Sequence, residues 1–233
     1  MIRKPLLVVN FKAYPTSHGQ KALEMAKAAF HVSNQVETEI ILVPPHTEIY
    51  RISQVYSQTY GQPPDISGQG AYTGRVSLEM IVSAGAKGVL INHSEKKIPY
   101  NMLVQMISNA KRYGLKTIVC AETPVEAKAI ALAEPDYIAI EPPELIGTGI
   151  PVSKAKPEII TQSIDAVSKI NPSIPVLAGA GITNGDDAYT AIQLGAAGVL
   201  VASAVMKHKE PQSKLNELAT ALSSSWAKKT PIQ

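Results

Sequence analysis

The chain has 233 residues, 45% of them hydrophobic and 18% charged, the balance of an ordinary globular protein. A formal net charge of +3 gives no electrostatic footprint for nucleic-acid binding, and no apolar run approaches the ~18 residues that a transmembrane helix needs. The opening MIRKPLLVVNFK reads as a short strand and not as a signal peptide, and Cys120, the only cysteine, permits no internal disulfide, so a cytoplasmic location is expected.

Short apolar runs punctuate the chain. LLVV at 6–9 is the first predicted strand and IILV at 40–43 the second. PDIS at 64–67 is a weaker candidate for the third. VLI at 89–91, TIVCA at 117–121, YIAI at 137–140, VLA at 176–178 and VLV at 199–201 complete the series. These runs are apolar on successive residues, as strands buried on both faces should be. Helical spacing fills the gaps. Met102, Leu103, Met106, Ile107 and Ala110 form one stripe, with both methionines expected as core filling. Ile160, Ile164 and Val167 form a second stripe, and Leu215, Leu218 and Leu222 a third.

Strand alternating with helix about eight times predicts a parallel sheet. Eight units in this length favour a single α/β domain, a closed (β/α)₈ barrel spanning residues 1–233. An open doubly wound sheet would carry a glycine fingerprint after strand one, whereas VVNFKAYP has no glycine before Gly19. AGAKGVLIN (84–92) and LGAAGVLVA (194–202) echo each other half a barrel apart, a weak sign of duplication that one helix-capping solution used twice would also explain. The polar tail SSSWAKKTPIQ is expected to fray from about residue 224.

Barrel enzymes keep their chemistry where strands end. Strand one ends in Asn10 and Lys12, strand four in Asn92 and His93, and strand six in Glu141. GAGI (179–182) and ASAV (202–205) follow strands seven and eight and read as small-residue helix openings. Small residues let backbone N–H groups approach an anion, so phosphate is the expected guest there. Singly, a strand-end glutamate, a lone histidine and a surface lysine are ordinary features. Together, a base, an imidazole, a lysine and two small-residue loops, each at its own strand end, point to a site. His18, His31, His46 and His208 lack metal-ligand spacing and are expected to be exposed. Asn92-His93-Ser94 fits a glycosylation pattern by chance.

NFK at 10–12, NHSE at 92–95, EPPELIGTG at 141–149, GAGI at 179–182 and LVAS ending at 203 resemble segments of the triosephosphate isomerase family, in that family's order. The wording is most similar to its compact archaeal branch. The resemblance implies interconversion of D-glyceraldehyde 3-phosphate and dihydroxyacetone phosphate through an enediol(ate), in glycolysis and gluconeogenesis, with no metal or cofactor. It implies Glu141 as the base and His93 as a neutral electrophile and proton shuttle, a division of labour carried over from that family itself. It further implies Lys12 as the group stabilising phosphate and oxyanion, Asn10 beside the carbonyl, and Glu95 holding Lys12. Asn10, Phe11, Lys12, Ile146, Gly147, Gly181, Ala202 and Ser203 would bind the substrate and its phosphate. Pro142 and Pro143 would stiffen the root of a closing loop, and Gly147 and Gly149 would loosen its tip.

The pattern departs from the commoner bacterial and eukaryotic form in three places. The loop after Glu141 lacks a tryptophan, GAGI replaces a Tyr-Gly-Gly-Ser type segment, and Ala202-Ser203 replaces a glycine pair. CAE at 120–122 is only loosely similar, so Cys120 is assigned packing alone. GAYTGRVSLEM (70–80) resembles the family's projecting third loop, which implies a homodimer or homotetramer. A Schiff-base aldolase using Lys12 and a non-catalytic phosphate-ligand binder remain as alternatives.

Overall fold

Both faces of the sheet are covered, which is why its apolar residues run in succession. In this computed structural model, residues 4–65, 68–145 and 150–229 are described. The order is β1 (Leu6–Asn10), α1 (Gly19–Ser33), β2 (Glu39–Val43), α2 (Ile49–Ser53), β3 (Tyr60–Gly61), α3 (Leu78–Ser83), β4 (Gly88–Ile91), α4 (Tyr100–Arg112), β5 (Lys116–Ala121) and α5 (Pro124–Ala131). Then follow β6 (Tyr137–Ile140), α6 (Val152–Ala155), α7 (Pro157–Ser168), β7 (Val176–Ala178), α8 (Gly185–Gln193), β8 (Gly198–Val201), α9 (Ser203–Met206) and α10 (Pro211–Lys229).

The eight strands are parallel, in the order β2-β1-β8-β7-β6-β5-β4-β3. Leu6 lies opposite Glu39 on one side and Gly198 on the other. The ends of the sheet meet at a parallel bridge between Leu42 and Thr59, so the barrel is nearly closed. Leu6, Val8, Ile41, Val43, Leu90, Ile118 and Leu177 fill its interior. Leu7, Val9, Ile40 and Leu42 turn outward into a second cluster with Ala22, Ala26 and Ala29 of α1. Each fully buried aliphatic side chain contributes roughly 1.5–3 kcal/mol. Helix starts are fixed locally: Ser77, Thr123 and Asn184 each accept the backbone N–H three residues on, worth about 1 kcal/mol apiece.

The two echoed segments share one solution. Gly85 and Gly195 close the preceding helices with φ of 92° and 106°, open to glycine. Gly88 and Gly198 begin β4 and β8, where a Cβ would lie 2.3 Å from the Tyr60 ring and 2.1 Å from Leu6 O.

Four local expectations are corrected. The third strand is Tyr60–Gly61: in PDIS, Pro64 has no N–H for a ladder, Asp65 instead accepts from Val76 N–H and pairs with Lys96, and Ile66 and Ser67 lie outside the described residues. Met106 is core, but Met102 is 44% exposed, one position off the buried stripe of α4. Helix α10 continues past Ser224 to Lys229, because Ser225 is buried against Tyr189 O and Trp226 packs on the core. GAGI does not itself open a helix; α8 starts at Gly185, capped by Asn184.

Candidate active site

At the end of β1, Asn10 is buried and its Oδ1 accepts the Lys12 N–H at 3.1 Å. Lys12 takes a left-handed backbone, φ 48°, rare outside glycine. Gln62 Nε2 fixes this turn by donating to Lys12 O at 3.1 Å. The Lys12 ammonium reaches across the barrel mouth to Glu95 Oε1 at 2.8 Å. Phe11 is placed apart from the cleft: its ring is wholly buried in the core and its N–H is spent on Val43 O. Any contribution of Phe11 at the substrate therefore comes from its backbone carbonyl or from packing that holds Asn10 and Lys12.

At the end of β4, Asn92 is also left-handed, φ 59°, and fully engaged. Its amide donates to Cys120 O and Glu126 Oε1, and its Oδ1 accepts from Ile98 N–H. The Glu126 carboxylate also takes Lys97 and the Glu122 N–H. The next residue, His93, is buried and opens a 3₁₀ turn, Ser94–Lys96, by accepting the Glu95 N–H at Nδ1, 3.1 Å away. An accepting Nδ1 leaves the proton of a neutral ring on Nε2, the nitrogen that faces Glu141 Oε2 at 3.7 Å.

Glu141 follows β6 and is only 3% exposed. Its N–H extends the sheet to Ala121 O. Burial raises its pKa above the ordinary value of 4.5, although His93, the Cys120 thiol and Lys12 pull the other way. The result is a stronger base than a solvated glutamate. The same burial, with Glu141 nearby, pushes the Cys120 thiol well up, so it stays protonated and can donate to the carboxylate. Gly179 makes room: a Cβ there would stand 2.5 Å from Glu141 Cγ. Beyond Glu141, Pro143–Leu145 form one 3₁₀ turn with Leu145 buried. The loop-tip residues Ile146, Gly147, Thr148 and Gly149 lie outside the described residues.

Loops after β7 and β8 form the opposite wall. Gly181 has φ 71°, and Ser203 opens the short α9 after Ala202. A small cleft is lined by Lys12, Glu141, Gly181, Thr183, Ala202 and Ser203. A second cleft beside it holds Asn10, His93, Glu95 and His46, with Lys12 bordering both. His46, expected to be exposed, is partly buried with its Nε2 on Gln62 O, and burial lowers its pKa. Sequence reasoning missed Gln62 and Glu126, and read Gly179 only as part of the small-residue GAGI loop and Cys120 only as packing. The loosely matched CAE segment was the one signal at Cys120.

A carboxylate withdrawn from water beside an imidazole is an arrangement for moving protons, and it lies at the face where (β/α)₈ enzymes work. The chain is thus a barrel of the acid–base class, with a cleft walled by small-residue loops next to its buried carboxylate. A family model described as triosephosphate isomerase matches residues 5–221. The chain is 45% identical over 221 residues to a triosephosphate isomerase of Saccharolobus solfataricus, covering 94% of this chain and 97% of that one. It is 45% identical over 215 residues to one of Methanosarcina barkeri, at 92% and 97% coverage. In fold it is similar to the crystal structure of triosephosphate isomerase from Bartonella henselae, with TM-score 0.68, 22% identity, and 94% and 97% of the two chains covered. The chain belongs to the triosephosphate isomerase family.

Proposed function

We propose that the chain interconverts D-glyceraldehyde 3-phosphate and dihydroxyacetone phosphate through an enediol(ate), with Glu141 as the base. The observation that carries this reading is the buried Glu141 carboxylate facing His93 Nε2 at 3.7 Å, its basicity raised by burial. Glu141 removes the proton α to the carbonyl and returns it to the neighbouring carbon. His93 Nε2–H donates to the carbonyl oxygen as charge develops there. A positioned base contributes ~10²–10⁴ in rate, and a preorganised donor ~10²–10³. Lys12 supplies positive charge between the two clefts. Backbone N–H groups near Gly181, Ala202 and Ser203 hold the phosphate, and Asn10 sets the Lys12 turn.

The aldolase alternative needs a free Lys12 amine, whereas the ammonium is engaged by Glu95 at 2.8 Å. The enzyme works in the cytoplasm as a homodimer or homotetramer. The exposed Tyr50, Tyr72 and Met80 on and beside the 70–80 segment support self-association. The test is a coupled assay of D-glyceraldehyde 3-phosphate turnover without added metal or cofactor. Fast turnover inhibited by inorganic phosphate is expected. A folded sample that binds phosphate but turns nothing over would favour the binder, and borohydride trapping of substrate on Lys12 the aldolase.

A further inference from the structure

The loop after β7 is braced from behind by α6. Val152 N–H donates to Ala180 O at 3.0 Å. Gly181 presses on the backbone of the same segment so closely that a Cβ would stand 1.8 Å from Ile150 O. The brace itself is tied down at one place. Asp187, in the first turn of α8, is 1% exposed. One of its oxygens accepts from Thr183 N–H at 3.1 Å and from Thr183 Oγ1 at 2.9 Å. The other meets Lys154 Nζ of α6 at 2.6 Å.

Capping does not account for this carboxylate. Asn184 already caps α8 by accepting the Asp187 N–H at 3.0 Å. A residue that only reached back along its own helix start would have no need to be buried or to meet a lysine from another element. A buried charge is costly unless it is paired and hydrogen-bonded, and here the pairing spans two segments. Burial raises the Asp187 pKa, but the Lys154 ammonium and the hydrogen bonds from Thr183 outweigh it and leave the carboxyl below its ordinary range.

We propose that Lys154 and Asp187 are positioning residues whose ion pair holds α6 against the Gly179–Asn184 loop, so that the Gly181 backbone stays aimed at the phosphate end of the substrate. The proposal rests on that loop being the phosphate site. It makes a distinction that ordinary structural support does not. Loosening the loop weakens the grip on phosphate, whereas His93 and Glu141, carried by β4 and β6, keep their geometry.

The test compares a phosphate-bearing substrate with one lacking the group. Lys154→Met keeps the stem of a half-exposed side chain and removes its charge. The KM for D-glyceraldehyde 3-phosphate and the inhibition constant of inorganic phosphate should both rise about ten-fold, within the ~10²-fold that a 1 Å misplacement can cost. The slow isomerisation of phosphate-free D-glyceraldehyde should be unchanged. Lys154→Arg should restore most of the phosphate affinity. Asp187→Asn, which keeps an acceptor for Thr183, should reproduce the Lys154→Met pattern. Equal losses on both substrates, or no loss on either, would overturn the proposal. Absence of phosphate inhibition in the wild-type protein would instead remove the phosphate loop itself, whatever Lys154 does.

Discussion

The two halves of the barrel mouth are built by opposite means. The ends of β1, β4 and β6 present side chains: Asn10, Lys12, His93 and Glu141. The backbone there is bent to aim them, with Lys12 at φ 48° and Asn92 at φ 59°, conformations that cost a non-glycine residue roughly 1–2 kcal/mol. Hydrogen bonds accepted by Asn10 Oδ1, Cys120 O and Glu126 Oε1, and one donated by Gln62, hold those turns in place. The ends of β7 and β8 present almost no side chain. Gly179, Gly181, Ala202 and Ser203 leave the backbone itself as the working surface. A proton carrier must be a side chain at a set distance, so strain is tolerated to place it. The phosphate site proposed there needs only N–H groups, so bulk can be dispensed with. Gly179 joins the halves, since its missing Cβ is the space that Glu141 occupies.

The sharpest way to break this contrast is Glu141→Gln. The amide keeps the shape and loses the base, so kcat should fall by ~10²–10⁴ with the fold intact. Stability should move the other way. Burial holds the folded-state pKa of Glu141 above the ordinary 4.5. Between the unfolded and folded values the folded chain binds more protons, so stability falls as pH rises through that window and stays lower above it. The neutral amide escapes this loss. Glu141→Gln should therefore melt higher than wild type at neutral pH, with the advantage fading as pH falls to the unfolded carboxylate value. A variant as active as wild type would end the base assignment, and one no more stable at neutral pH would end the account of its burial.

The other half should respond through backbone and not chemistry. Gly181→Ala places a Cβ where φ is 71° and Ile150 O is 1.8 Å away, so the loop must move. KM should rise by ten-fold or more, and stability should drop by roughly 1–3 kcal/mol. Ser203→Ala removes a side chain from the same half but keeps its N–H, and its KM should stay within about two-fold of wild type, since a surface substitution of this kind usually moves energies by no more than ~0.5 kcal/mol. Steady-state kinetics on the pair sharpens the contrast. A large loss from Ser203→Ala would mean that hydroxyls, not amides, hold the anion.

How much of this was legible follows from the same contrast. Seven strands announced themselves because burial on both faces forces unbroken apolar runs. The third did not, because Tyr60–Gly61 pairs through only two residues and its burial comes from a single large ring. Glu141, His93 and Lys12 stood out as polar residues ending apolar strands. Gln62, Glu126 and Asp187 did not, because their roles depend on hydrogen bonds across 50 and 34 residues of chain and, for Asp187, on an ion pair with the distant Lys154. No local pattern records a partner at that separation. Phe11 adjoins Asn10 and Lys12 in sequence, and its ring lies in the core while they face the barrel mouth.

Cys120 gives the finest test, because it reads the chemical half without disabling it. The thiol lies inside the barrel beside Glu141, where donation to the carboxylate lowers the Glu141 pKa against the larger upward effect of burial. Removing that donor in Cys120→Ala leaves burial less opposed, so the Glu141 pKa rises further. Catalysis needs the carboxylate, so the acidic limb of the kcat/KM profile should move to higher pH. Thiols are weak donors, and the displacement should be a few tenths of a pH unit, below the ~1 unit that a full neutral hydrogen bond would give. Turnover well above the limb should stay nearly constant. Cys120→Ser offers a stronger donor of similar size and should move the limb the opposite way. Opposed displacements would show that the thiol tunes the base. Profiles that coincide with wild type in both variants would return Cys120 to packing alone and leave burial as the only effect setting the basicity of Glu141.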